Sequence, residues 1–149
     1  MDMEERIKRI DTPEKCEVFA KNAIAKGRED LAILARKRAL ELKADKYGAS
    51  TPVEKEVLEA IYAYEAVRSA INQRNTRATR TWNMVNDRGL LGAAEHSVTK
   101  KNDPQGYTDL VEMGLEDYTF EAVVLRYPDK FSEQAVTMAR EKLDEWKHE

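Results

Sequence analysis

The sequence predicts an all-α fold: a compact single-domain bundle of about eight or nine short to medium helices over residues 1–149. Three observations lead there. Glycine and proline together number only ten, so regular structure dominates. Alanine, leucine, glutamate, lysine and arginine crowd the first half, which favours helix by intrinsic propensity. Apolar residues recur at three- and four-residue steps in every long segment, the period of a helix with one buried face.

Residues 2–10 form a short helix with Ile7 and Ile10 as its apolar pair. Thr12-Pro13 reads as an N-cap followed by proline at the first helical position, where no N–H is needed. The helix that follows places Cys16, Phe19, Ala20 and Ala23 on one face, and Gly27 is its left-handed stop. Arg28-Glu-Asp opens the next helix after almost no loop, so the two are expected as antiparallel neighbours. Its main stripe is Leu31, Leu34, Ala35 and Leu42, with Ile33 and Leu40 opposite, and Gly48 ends it.

Thr51-Pro-Val-Glu54 fits a capping box in which Glu54 reaches back to the cap's N–H. The helix it starts carries Val57, Ala60, Ile61, Tyr64, Val67 and Ile71 on one face. Residues 72–76 break the pattern as a loop. A central helix then runs to Gly89 with Ala78, Trp82 and Val85 as its core stripe, and residues 90–100 form another. Residues 101–106 read as a loop from their polarity and dipeptides. Residues 107–113 form a short helix closed by Gly114, and residues 117–127 another, ended by Pro128. The run Val123-Val124-Leu125 has strand character but no partner strand. Ser132 caps the last helix, where Val136, Ala139, Leu143 and Trp146 repeat at helical spacing.

Charge singles out one stretch. The chain carries 25 Lys and Arg against 28 Asp and Glu, a net −3, which argues against coating nucleic acid by bulk electrostatics. Residues 72–101 run the other way. Arg74, Arg77, Arg80, Arg88, Lys100 and Lys101 stand there against only Asp87 and Glu95. On a helix, Arg77, Arg80, Met84 and Arg88 share a face distinct from the Ala78, Trp82, Val85 stripe. Arginine suits phosphate because its planar fork binds two oxygens and stays charged. Asn and Thr side chains between positions 72 and 86 add donors for phosphates or base edges. The competing account is that these arginines salt-bridge the acidic C-terminal third. In Arg88-Gly-Leu-Leu-Gly92, Gly89 marks a helix junction whose free N–H groups would suit an anion; a glycine C-cap with a close helix contact at Gly92 is the commoner account and the favoured one.

Other chemistry finds little footing. His148 is near the chain end, and His96 has no second histidine at helical metal-binding spacing, so no metal site is expected. Cys16 shares an apolar face, where a free cysteine is a small hydrophobe. No P-loop, dinucleotide fingerprint or nucleophile elbow occurs, so no cofactor and no catalytic residue are assigned. The spacing of Gly, Thr, Phe and Val across residues 113–123 resembles the turn and second helix of a helix-turn-helix. Asp109 and Leu110 depart from that pattern, and Glu116, Asp117 and Glu121 would repel phosphates, so this segment reads as a helical corner of the core.

No apolar run approaches the ~18–20 residues of a membrane span. A single cysteine permits no internal disulfide, and the acidic N-terminal residues do not resemble a secretory signal. The expected location is cytoplasmic. The expected function is nucleic-acid (DNA or RNA) or other polyanion binding through Arg74, Arg77, Arg80, Arg88, Gly89, Lys100 and Lys101. A helical protein-interaction or structural module is the alternative, and an enzyme with an unmarked acidic site the third. Nothing in the sequence fixes the oligomeric state.

Overall fold

The computed structural model describes residues 2–148 and is all-α. Among these residues there are eight α-helices and two single-turn 3-10 segments, with no strand. The chain divides between Gly48 and Ala49 into two compact units.

The first unit holds α1 (Met3–Lys8), α2 (Pro13–Ala25) and α3 (Glu29–Tyr47). Asp2 and Thr12 cap the first two helices by accepting from the N–H groups of Glu5 and Lys15. Gly27 turns the chain at φ 73°, and the N–H of Arg28 closes the turn on the Ala23 carbonyl at 2.8 Å. Helices α2 and α3 form an antiparallel hairpin. Ala20 and Ala23 cluster with Leu31, Ala32 and Ala35, while Cys16, nearer the start of α2, senses Arg38 and Glu41. The buried seam of α3 is Leu31, Ala32, Ala35, Ala39, Leu40 and Ala44. Leu34 and Leu42 from the expected stripe are only half-buried, as is Ile33. Small alanines, rather than leucines, let two helix backbones approach closely. Helix α1 adds Ile7 to this cluster, and Arg38 Nε donates to the Ile10 carbonyl at 3.0 Å.

The second unit holds α4 (Pro52–Asn72), α5 (Thr79–Lys100), α6 (Pro104–Glu112), α7 (Phe120–Arg126) and α8 (Glu133–Lys147). The 3-10 turns are Glu116–Tyr118 and Pro128–Lys130. Helix α7 is the hub, packed against α4, α5 and α8. Val123 and Val124 are fully buried, so the Val-Val-Leu run is a short central helix rather than a strand. Glu56 of α4 accepts from Arg126 Nε at 2.6 Å and from the Tyr127 hydroxyl. Glu95 of α5 accepts from the Ser132 N–H at 3.1 Å and its hydroxyl at 2.5 Å, while the same hydroxyl caps α8 by accepting from Ala135 N–H.

Three local expectations need correction. Thr51 caps α4, but its hydroxyl donates to Glu54 Oε1 at 2.9 Å, so the glutamate meets the cap's side chain instead of its N–H. Residues 101–106 are not all loop, because Asp103 caps α6 and Pro104 takes the first helical position. This is the Thr-Pro device of α2 and α4 in another guise. Helix α7 begins after Thr119, which accepts from Ala122 N–H, and the preceding residues make only a 3-10 turn. As expected, residues 79–88 and 90–100 are two helical runs that meet at Gly89, whose φ 80° and ψ 172° break the helix in place.

Candidate functional site

The second unit positions the arginine-rich stretch through α4. Gln73 ends α4 in the left-handed region at φ 55°, and Arg74 N–H then closes on the Ser69 carbonyl at 3.2 Å. Thr76 is tied back twice. Its N–H donates to Ser69 Oγ at 2.9 Å, and its hydroxyl accepts from Asn72 Nδ2 at 3.2 Å. Helix α5 begins at Ala78 with no side-chain cap of its own. Glu65 of α4 supplies one across the turn: its Oε2 accepts from Ala78 N–H at 2.8 Å and from Trp82 Nε1 at 2.7 Å. A carboxylate at a helix N-terminus satisfies an orphan donor and suits the helix dipole.

Trp82 is half-buried, not fully in the core. One face meets Tyr62, with ring centroids 5.5 Å apart, and the Arg77 guanidinium stands 5.6 Å from its ring centre. Glu65 thus orients Trp82, and Trp82 supports Arg77 by a cation–π contact.

Arg74, Arg77, Arg80, Arg88, Lys100 and Lys101 are all exposed. Among the described residues none of their side chains forms an ion pair with a carboxylate. Among the described residues, these arginines do not pair with the acidic C-terminal third. Members of that third find other partners: Glu121 faces Lys142 at 3.9 Å, and Asp144 faces His148 at 3.4 Å. Cations gather around His96 as well. Desolvation, then Arg88, Lys101 and Lys100, hold its imidazole below the ordinary value of 6.5. At the junction, a Cβ on Gly92 would stand 2.8 Å from the Arg88 Cβ, so Gly92 is a close-contact position and Gly89 a helix break.

A cleft of about 480 Å³ opens beside this stretch. Tyr64 and Arg68 of α4 line it, as do Arg77 and Arg80. Lys101, Tyr107, Glu121 and Trp146 complete it. Of the expected binding residues, the cleft gathers Arg77, Arg80 and Lys101. Arg74, Arg88, Gly89 and Lys100 do not line it.

The lining also holds the acidic Glu121 and the aromatic rings of Tyr107 and Trp146. The Tyr107 and Trp146 rings lie 5.6 Å apart at 30°, and Trp146 Nε1 donates to Asn102 Oδ1 at 3.1 Å. Burial, then Glu116 and Asp117, hold the Tyr107 hydroxyl above its ordinary value. Glu121 is 8% exposed. Burial pushes its carboxyl above 4.5, with Lys142 pulling down and Asp103 pushing up. The buried Lys142 ammonium donates to the carbonyls of Val98 and Lys101 at the end of α5. It clamps the carbonyls that a helix end leaves without intrahelical partners.

Arg68, Tyr107, Glu121 and Trp146 were not identified as site residues from sequence. One signal existed: Arg68 interrupts the apolar face of α4 one turn after Tyr64 and shortly before Ile71. His96 does not line the cleft, so the buried carboxylate there has no histidine beside it. Among the described residues no group of three His, Cys, Asp or Glu side chains is placed to hold a metal ion. No helix among them is long and apolar enough to cross a membrane. No family model, curated protein or solved structure matches the chain.

Proposed function

We propose that the second unit binds nucleic acid through the cationic stretch from Arg74 to Lys101. The observation that carries this is the exposure of Arg74, Arg77, Arg80 and Arg88 without a carboxylate partner among the described residues. An arginine braced internally would meet its acid in the fold, whereas these forks face solvent. Arg77 and Arg80 share the cleft wall with Thr76, Thr79 and Thr81, hydroxyl donors of the kind that contact phosphate and sugar. Arg88, Lys100 and Lys101 all act on His96, which keeps the cationic character running along the second half of α5.

Each phosphate contact displaces condensed counterions, so log affinity falls with log salt by about 0.9 per contact on duplex or 0.7 on a single strand. Arg80→Ala is expected to weaken binding to mixed-sequence oligonucleotides uniformly and to shallow that slope by about one contact's share. Stability is expected to move by less than about 0.5 kcal/mol, as for exposed positions generally. Fluorescence anisotropy across a salt series measures the first and urea denaturation the second. Salt-insensitive binding, or an Arg80→Ala protein that binds normally, would overturn the proposal. Capture of an acidic protein with no oligonucleotide binding would reassign the surface to protein recognition.

A further inference from the structure

A bare polyanion surface has no use for Glu121, Tyr107 and Trp146 in the cleft lining. A buried carboxylate repels phosphate, yet Glu121 lines the same cleft as Arg68, Arg77, Arg80 and Lys101. The two signs are kept apart. Glu121 pairs with Lys142 at 3.9 Å, and the charges that act on it are Lys142 and Asp103, not the arginines. Half-buried Tyr107 and Trp146, which is 7% exposed with its ring centre 5.6 Å from that of Tyr107, lie among the lining residues too. A ligand matching all three features has an anionic end, a flat apolar body and an edge rich in N–H donors.

We infer that the cleft is a nucleotide site that takes one unpaired nucleotide. Its phosphate meets Arg77 and Arg80, its base lies against the Tyr107 and Trp146 wall, and Glu121 accepts hydrogen bonds from the base edge. A volume of about 480 Å³ falls within the range of ~300–1,000 Å³ typical of small-ligand sites. Aromatic faces accept any base, so stacking supplies affinity without selecting sequence. Selection comes from the carboxylate. An ionised carboxylate only accepts, and its two oxygens can take two parallel donors. Guanine alone among the bases offers two adjacent donors, N1–H and the 2-amino group, on its pairing edge. In a duplex that edge is occupied, so the site requires a single strand or a free nucleotide. The groups around Glu121 set when it accepts: Lys142 from α8 favours the ionised form, while burial and Asp103 at the start of α6 oppose it. Base selection is therefore expected to fade in acid as the carboxyl takes up its proton.

The inference rests on the nucleic-acid role proposed above, and the experiment separates the two. Calorimetry with the full chain uses GMP, IMP, AMP, CMP and UMP, with guanosine and inorganic phosphate as partial ligands. A single-stranded and a duplex oligonucleotide of mixed sequence are measured alongside. GMP is expected to bind at least tenfold tighter than IMP, which lacks the 2-amino group, and tighter than guanosine or phosphate alone. Glu121→Gln is expected to bring GMP to within about threefold of IMP, while Arg77→Ala weakens all five nucleotides alike. The comparison of GMP with IMP on the unaltered protein stands even where a variant fails to fold. Oligonucleotide binding without any mononucleotide binding, or equal affinity for GMP and IMP, overturns the nucleotide site and leaves the surface role intact. GMP binding without oligonucleotide binding supports the cleft and overturns the nucleic-acid role. Binding of neither overturns both.

Discussion

Glu65 accepts from two donors, the Ala78 N–H and the Trp82 indole. Removing a charged acceptor from a hydrogen bond costs about 1.5–3 kcal/mol. Glu65→Ala is expected to lower stability by about that amount and to loosen Trp82, the platform beneath Arg77. Urea denaturation followed by tryptophan fluorescence measures both, and a variant with unchanged midpoint would remove Glu65 from this role. Cys16 offers a second check at this scale. It is 1% exposed, and burial, the largest influence, pushes its thiol above the ordinary value. Labelling by a disulfide reagent at neutral pH is expected to be slow without denaturant and fast with it. Rapid stoichiometric labelling of the native protein would show a nucleophilic thiol.

Helix α5 owes its shape to one residue. Gly89 sits at φ 80° and ψ 172°, a region essentially reserved for glycine, and a Cβ placed there would meet nothing within 4 Å. The cost of Gly89→Ala is therefore backbone strain alone, expected at about 1–3 kcal/mol. Relief of that strain would straighten α5 and shift Lys100 and Lys101 relative to Arg80 and Arg88. Thermal melts and the salt slope of oligonucleotide binding together report it; an alanine variant matching the parent in both would mean the break carries no function. The segment at residues 113–123 shows why local spacing misleads about function at this scale. Its resemblance to a DNA-reading turn reflects helix packing, with Val123 and Val124 fully buried and Glu121 almost so.

Across the second unit, carboxylates outnumber cations, yet among the described residues the arginines of residues 74–88 have no carboxylate partner while two carboxylates, Asp109 and Glu121, are buried. Burial of Glu121 makes stability depend on pH. Because its folded-state carboxyl sits above 4.5, the folded protein holds this proton more tightly than the unfolded chain. Its contribution is fully present below the unfolded value and is lost as pH rises through the raised folded value. Glu121→Gln is expected to flatten that decline above pH 4.5, read as urea midpoints at each pH. A variant whose midpoint declines as steeply as the parent's would show that Glu121 does not carry the dependence.

The sequence by itself determined the helices and most of their ends. Thr12-Pro13, Thr51-Pro52, Gly27, Gly48, Gly89 and Ser132 act through neighbours within a turn, and each stands where its local chemistry places it. Asp103-Pro104 carries the same signal and was hidden only by the polarity of its surroundings. The excess of cations at residues 72–101 was equally legible, because net charge needs no fold. Whether those cations were paired was not, since that depends on which acids the chain brings near. Tertiary structure alone decided that Glu65 caps a helix 13 residues away, that Lys142 closes the end of α5, and that Glu121 and Trp146 share a cleft with Arg77. Hydrogen bonds and burial act through space over a few ångströms, and such partners leave no periodicity along the chain.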